Sequence, residues 1–406
     1  MKSGDGMKAE HPAGGPPPAR WAPLSWLSDE LAALDGAGLR RRLGARKGSQ
    51  AATIILDGRE LVNFGSNDYL GLAADPRLAA AANAAIQSEG FGSGASPLIT
   101  GRCEIHERLE HRLAKFEGAE AALLFPSGFA ANLAAVTALA GPGDVVFSDA
   151  KNHASLWDGC RLSRADVRAY PHADWRQLDR SLARASGYRR RLVVTDSLFS
   201  MDGDLAPLVE LAEVAQRHEA MLLIDEAHAT GVFGAGGRGV AEHLGVEQSV
   251  TARVGTLSKA LGCAGGFVSG SRLLIEWLIN RARSYIYSTA APPAISAAGL
   301  AALEIVIAQP HRRRELMQRA AAFRERVSAR GWSPGRSASQ IIPIVVGSPQ
   351  RAVDLSRRLR EHGLFVPAIR PPTVPEGEAC LRVSFTWQHT ESQIAALAEE
   401  LGTATS

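Results

Sequence analysis

Lysine is scarce in this chain. Its 406 residues include 45 lysines and arginines, but only Lys2, Lys8, Lys47, Lys115, Lys151 and Lys259 are lysines. Cysteine is scarcer still: Cys103, Cys160, Cys263 and Cys380 lie far apart with no CxxC pair. That spacing excludes a zinc ribbon, a redox motif or a disulfide framework, and points to a reducing compartment. No apolar run reaches the roughly 18 residues of a membrane span, and the N-terminus lacks the apolar core of a signal peptide. A cytoplasmic protein with no membrane partner is therefore expected. The net charge is only +3, too balanced for a protein that works by neutralising phosphate backbones, so no nucleic-acid partner is expected. Eight arginines between Arg312 and Arg336 do not change this. The apolar residues Leu316, Ala320, Phe323 and Val327 keep a separate stripe, and the arginines read as a solvated helix face.

Apolar residues make up 46% of the chain and charged residues 21%, a composition that folds. The length suggests two or three domains. Residues 1–20, rich in glycine and proline, read as a disordered tail outside the fold. Residues 21–71 read as an N-terminal helix and arm, opening with helical spacing from Trp26 through Leu27, Leu31 and Leu34. Across residues 72–303, short apolar runs at 121–125, 144–148, 167–170, 192–195, 221–224, 252–256 and 266–269 alternate with helical stretches. Such runs predict a largely parallel sheet covered on both faces, an α/β fold whose ligands bind beyond the carboxyl ends of the strands. From residue 304 to 406 the rhythm changes to that of a smaller α+β domain.

Four familiar signals fail. Gly234-Ala-Gly236-Gly-Arg-Gly239 has the GxGxxG spacing but does not directly follow a strand. The run ending in Asp225-Glu226 resembles a Walker B strand, yet no P-loop exists. His106 and His111 are five apart, so they diverge by roughly 140° on a helix and cannot clasp one metal; both read as solvent-exposed, and no metal is expected. No GxSxG is present, so a nucleophile elbow is absent.

One constellation survives. In Thr256-Leu-Ser258-Lys259 a lysine sits just past a strand, among small residues that let backbone approach a ligand. Alone, that lysine reads more readily as a surface loop residue, and Asp225, ending Met221-Leu-Leu-Ile-Asp225, as a helix cap or ion-pair partner. Together they fit pyridoxal 5'-phosphate, which needs an amine for its aldehyde and a carboxylate for its ring nitrogen. Ser127-Gly128-Phe129, opening a helix after a strand, offers unpaired N–H groups to a phosphate. His153, after the next strand, is placed to stack on a flat ring.

These pieces resemble the α-oxoamine synthases, pyridoxal-phosphate enzymes of fold type I. The resemblance spans about residues 39–385. It is carried by Ser66-Asn-Asp-Tyr-Leu-Gly-Leu72, Gly92-Ser-Gly94, Ser127-Gly-Phe-Ala-Ala-Asn132, His153-Ala-Ser155 and Phe199-Ser-Met-Asp-Gly-Asp204. It continues through Asp225-Glu-Ala-His-Ala-Thr-Gly231, Thr256-Leu-Ser-Lys259, Tyr287-Ser-Thr289 and Ile369-Arg-Pro-Pro-Thr-Val-Pro375. It implies a mostly parallel central sheet in a large domain with a smaller C-terminal α+β domain, assembled as a homodimer. By position, Lys259 would hold the cofactor aldehyde, Asp225 the ring nitrogen and His228 the ring oxygen, with Ser200 beside it. His153 would stack, and Gly128, Phe129 and Thr256 would hold the phosphate. Ser288 or Thr289 would reach in from a second subunit.

The resemblance also implies the reaction, a decarboxylative condensation of an amino acid with an acyl thioester. Arg370 would bind the amino-acid carboxylate, with Thr373 and Asn67 lining the pocket. Arg40 would meet the acyl substrate, although a charged helix end reads as well, and the choice among Arg40, Arg41 and Arg42 stays open. Within the family, the segments beginning at Ser66 and Ile369 point to L-alanine and pimeloyl-CoA, or a pimeloyl carrier protein. Glu226 stands where other members have a second aspartate and is expected to point away from the ring. The competing expectations are a sister enzyme using glycine or another acyl-CoA, and a non-catalytic scaffold on the same fold.

Overall fold

The computed structural model describes residues 23–41 and 43–404, so the expected tail and Arg42 lie outside the described residues. Two compact units are distinguished, residues 1–43 and 44–406. The first holds helix α1, Trp26–Gly36, none of whose residues is buried.

The second unit begins with strands β1 (Arg46–Lys47), β2 (Thr53–Leu56) and β3 (Arg59–Asn63), then helices α2 (Pro76–Glu89) and α3 (Glu104–Glu117). The central seven strands follow: β4 (Ala121–Phe125), β5 (Val145–Asp149), β6 (Asp166–Tyr170), β7 (Arg191–Asp196), β8 (Met221–Asp225), β9 (Ala252–Thr256) and β10 (Gly266–Gly270). They form one sheet in the order β4-β10-β9-β8-β7-β5-β6. Helices α4 (Gly128–Leu139) and α5 (Ala154–Ser163) follow β4 and β5. Each expected apolar run is a strand within a residue or two of the anticipated bounds.

Strands β5 to β9 pair in parallel, whereas β10 runs antiparallel to both β4 and β9. The reason lies in the connections. A parallel neighbour needs a long crossover, and only nine residues, 257–265, join β9 to β10. Lys259 sits in that short connection.

Every residue of β5 and β9 is buried. Alternate residues serve opposite faces: Val193, Leu222 and Ile224 join one apolar cluster, and Leu192, Val194 and Leu223 the other. Side chains ending these strands thus emerge at one rim, where ligands gather in open α/β sheets.

The last strands are β11 (Ile341–Gly347), β12 (Leu364–Phe365), β13 (Ala368–Ile369) and β14 (Ala379–Ser384). They make a three-stranded sheet, β11-β14-β13, while β12 joins the N-terminal sheet β1-β2-β3-β12 by parallel pairing with β3. Among the described residues no single helix is long and apolar enough to cross a membrane, and no cluster of three or more His, Cys, Asp or Glu is placed to hold a metal. One expectation is corrected. His111 is exposed, but His106 is buried, because its Nε2 lies 2.7 Å from the Ala291 carbonyl oxygen and its Nδ1 accepts the Cys103 N–H at 3.2 Å.

Candidate active site

Asp225 and Asp196 end neighbouring parallel strands and stand directly opposite one another in the β7–β8 register. Both are buried. Two buried carboxylates side by side need donors or a cation. Asp225 receives two donors: Ala227 N–H to Oδ1 at 2.7 Å, and Asn132 Nδ2 to Oδ2 at 2.6 Å. Asp196 accepts the backbone N–H of His153 at 2.9 Å, which fixes the start of α5. Burial, and then the Asp225 charge, push the Asp196 carboxyl well above its ordinary range.

The cation is Lys259. Burial pulls its amine from 10.5 down to about 8, although the charges of Asp225 and Asp196 pull the other way. Desolvation therefore wins, and the amine becomes a usable base and nucleophile near neutral pH.

Asn132 links Asp225 to His153. Its second N–H donates to Ser155 Oγ at 2.9 Å, and that hydroxyl lies 2.7 Å from His153 Nδ1. Nδ1 also accepts the Ser155 N–H, so the ring hydrogen sits on Nε2. Burial pulls His153 below its ordinary value, against the attraction of Asp225. The imidazole is thus a neutral donor, and it meets the Phe129 ring edge-on at 6.4 Å.

Phe129 belongs to the expected phosphate cradle. Ser127 caps α4, its Oγ accepting the Ala130 N–H at 3.1 Å. The N–H groups of Gly128 and Phe129, ahead of the first helical bond, are free to meet an anion. Gly266 keeps this backbone close to the sheet: a Cβ there would come within 2.5 Å of Gly128 N. Thr256, whose hydroxyl donates to Gly265 O at 2.8 Å, packs beneath Gly128. The exposed amides, the carboxylate with lone pairs to spare, the softened amine and the flanking imidazole together fit pyridoxal phosphate.

His228 and Asn67 meet through Tyr69. The Tyr69 hydroxyl lies 2.6 Å from His228 Nδ1 and 3.1 Å from Asn67 Oδ1. Arg382 contacts the same Asn67 oxygen and donates from Nε to the Ser200 carbonyl at 2.5 Å. Ser200, Asn67 and His228 are therefore drawn together by the small C-terminal sheet. Glu226 points away, its carboxylate accepting from Ser197 Oγ and from the N–H groups of Val240 and Ala241. The GxGxxG loop is likewise engaged, since Gly236 and Arg238 donate their N–H groups to Glu242.

Arg370 and Thr373 occupy the turn between β13 and β14, where Thr373 N–H donates to Arg370 O at 3.0 Å. Ser288 and Thr289 line a small cavity with Pro126, His106 and Tyr285. Arg40 belongs to the first unit, where it pairs with Asp35. Sequence reasoning missed Asn132, Ser155, Asp196, Tyr69 and Arg382 as site residues. A signal existed for Asp196, since its strand, like that of Asp225, is an apolar run closed by an aspartate.

Comparison with known proteins shows the family and the fold. The family model for class I and II aminotransferases matches residues 59–401. The 8-amino-7-oxononanoate synthase of Anaeromyxobacter dehalogenans is 52% identical over 91% of this chain and 93% of its own length. Among solved structures, the serine palmitoyltransferase of Sphingomonas wittichii superposes with a TM-score of 0.89 at 32% identity, covering 95% of this chain and 98% of that one. A structure of SPT with the PLP internal aldimine gives 0.88 at 32% identity, covering 93% and 96%.

Proposed function

The chain belongs to the class I and II aminotransferase family, and from that premise we propose that it is a pyridoxal-phosphate-dependent 8-amino-7-oxononanoate synthase. It joins L-alanine to a pimeloyl thioester, with loss of CO2 and of the thiol carrier, CoA or carrier protein. The single observation that carries this reading is Lys259, an amine brought to about 8 beside two buried carboxylates at the rim of a parallel sheet. The 52% identity to a synthase of this name supports alanine and a pimeloyl thioester as the substrates.

Pyridoxal phosphate, when bound, supplies an aldehyde for the substrate amine and a ring that withdraws electrons from its α-carbon. Asp225, held by Ala227 and Asn132, would keep the ring nitrogen protonated. Lys259, as a neutral amine, would remove the α-proton. His153 offers its Nε2 hydrogen to the carbonyl oxygen on which charge develops. Gly128, Phe129 and Thr256 hold the phosphate, Ser200 and His228 flank the ring oxygen, and Arg370, Thr373 and Asn67 receive the amino acid. Arg40 meets the acyl chain. The active assembly is a homodimer in the cytoplasm, with Ser288 and Thr289 completing the partner's site, and each subunit divides into a large domain, 72–303, and a small one, 304–406.

The test is a visible spectrum of the purified protein with pyridoxal phosphate, titrated with alanine and glycine, followed by assay with pimeloyl-, acetyl- and succinyl-CoA. A spectral shift with alanine and turnover with the pimeloyl thioester are expected. Preference for glycine or a shorter acyl group would make the chain a sister synthase. A folded protein with no visible band would revert the reading to a non-catalytic scaffold.

A further inference from the structure

Two loops flank the proposed cofactor ring, and one imidazole ties them together. The first leaves β5 at Asp149 and ends at His153, the start of α5. The second runs from Phe199 to Asp204 and carries Ser200. It is closed by the Phe199 N–H donating to Asp204 O at 3.0 Å and by Leu198 bridging to Leu205. His172, just past β6, lies between them: its Nδ1 is 3.0 Å from Asp149 Oδ1, and its Nε2 is 3.0 Å from Asp204 Oδ2. The ring also meets Phe199 at right angles, with centroids 4.4 Å apart. A carboxylate can only accept, so an imidazole facing two of them keeps both bonds as a doubly protonated cation. Asp149 is already an acceptor, taking the N–H groups of Lys151 and Ala173 at 2.8 Å each. Asp204 is buried, and among the described residues its side chain has no other partner, its Oδ1 making no hydrogen bond. Without His172 it would be a buried charge left alone.

Resting on the cofactor site proposed above, we propose that His172 is a positioning residue for the cofactor, a cationic clamp between the loop that carries His153 and the loop that carries Ser200. A second bridge joins the same loops, Lys151 Nζ to Asp202 Oδ1 at 2.9 Å, but both ends are partly exposed and such a pair holds weakly. Burial opposes a charged ring at His172, yet its bonds to Asp149 and Asp204 raise it from 6.5 to about 9. A cavity of about 210 Å³ opens beside it, and through this opening the ring exchanges its proton with water. Around the cavity it is faced by Lys151 from the first loop, Asp202 from the second, and Arg336, Glu378 and Cys380 from the C-terminal part of the chain. The clamp is therefore closed at neutral pH. As pH rises through about 9 the ring keeps a single hydrogen, and one of the two loops is let go.

The experiment measures how fast gel-filtered holoenzyme releases pyridoxal phosphate into an ultrafiltrate between pH 7 and 10, for the wild type, His172→Gln and Asp204→Asn. Glutamine can donate to only one of the two carboxylates, so its release at pH 7.5 is expected to be about tenfold faster than that of the wild type. The two should converge at pH 10, where the wild-type ring has lost its charge. In Asp204→Asn one of the charges that hold the proton on His172 is gone, so the alkaline rise in release should begin at lower pH. That variant decides the matter even if His172→Gln fails to fold. Equal release by the wild type and His172→Gln at pH 7.5 overturns the proposal, and so does an unmoved profile in Asp204→Asn. A ratio that stays the same from pH 7 to 10 also overturns it, leaving His172 as packing alone. A folded wild type that takes up no pyridoxal phosphate would instead overturn the proposed function, a result read before any variant is compared.

Discussion

An amine moved from 10.5 to about 8 changes both what Lys259 can do and what it costs. At pH 7 roughly a tenth of such an amine is neutral, against less than about a thousandth of an ordinary one. Turnover that depends on the free amine should therefore rise as pH passes through about 8 and level off above it, as a pH–rate profile would record. Stability follows the same group. In the apoprotein between about 8 and 10.5 the unfolded chain binds the proton that the folded chain has lost, so this contribution to stability increases with pH across that window. Lys259→Met should accordingly abolish this pH dependence of the apoprotein's melting temperature, by scanning calorimetry. Lys259→Ala should abolish turnover with the circular dichroism spectrum intact. Asp225→Asn, unable to hold the ring nitrogen protonated, should lower kcat by several orders of magnitude in a steady-state assay. Lys259 and Asp225 were legible because each follows an apolar run that ends in a residue rarely buried without purpose. Asn132, Ser155, Tyr69 and Arg382 were not, since a polar residue in a helix or strand declares its partner only once the chain has folded. Asn132 meets Asp225 across 93 residues.

At the level of elements, the site depends on backbone packed against backbone. The start of β10 lies so near the first turn of α4 that a Cβ on Gly266 would fall 2.5 Å from Gly128 N. Gly266→Ala should displace the phosphate-binding amides, weakening pyridoxal-phosphate affinity in a fluorescence titration while costing about 1–3 kcal/mol of stability by overpacking. The parallel strands were readable because burial on both faces demands uninterrupted apolar runs. The arm strands β1 to β3 were not, because they are two to five residues long and largely exposed. The reversal of β10 was also hidden, being set by the length of its connection and not by its composition.

For the whole molecule, the proposed dimer places Ser288 and Thr289 opposite the cradle of a second copy. Mixing Lys259→Ala subunits with Ser288→Ala/Thr289→Ala subunits tests this arrangement. One of the two sites in the mixed dimer would then combine an intact lysine with intact hydroxyls, so activity should recover above that of either parent. No recovery on mixing would place those hydroxyls in their own subunit's site. A boundary between a large and a small domain is proposed from a change of rhythm, but the pairing of β3 with β12 was not foreseen. No local pattern announces that β3 will pair with β12.

That pairing bears on how the protein is made. Arg382 reaches back 315 residues to Asn67, and β3 waits for β12, a strand made long after it. A nascent chain therefore carries Lys259 before it has the walls of a pocket, and chemistry waits until Arg382 has been made.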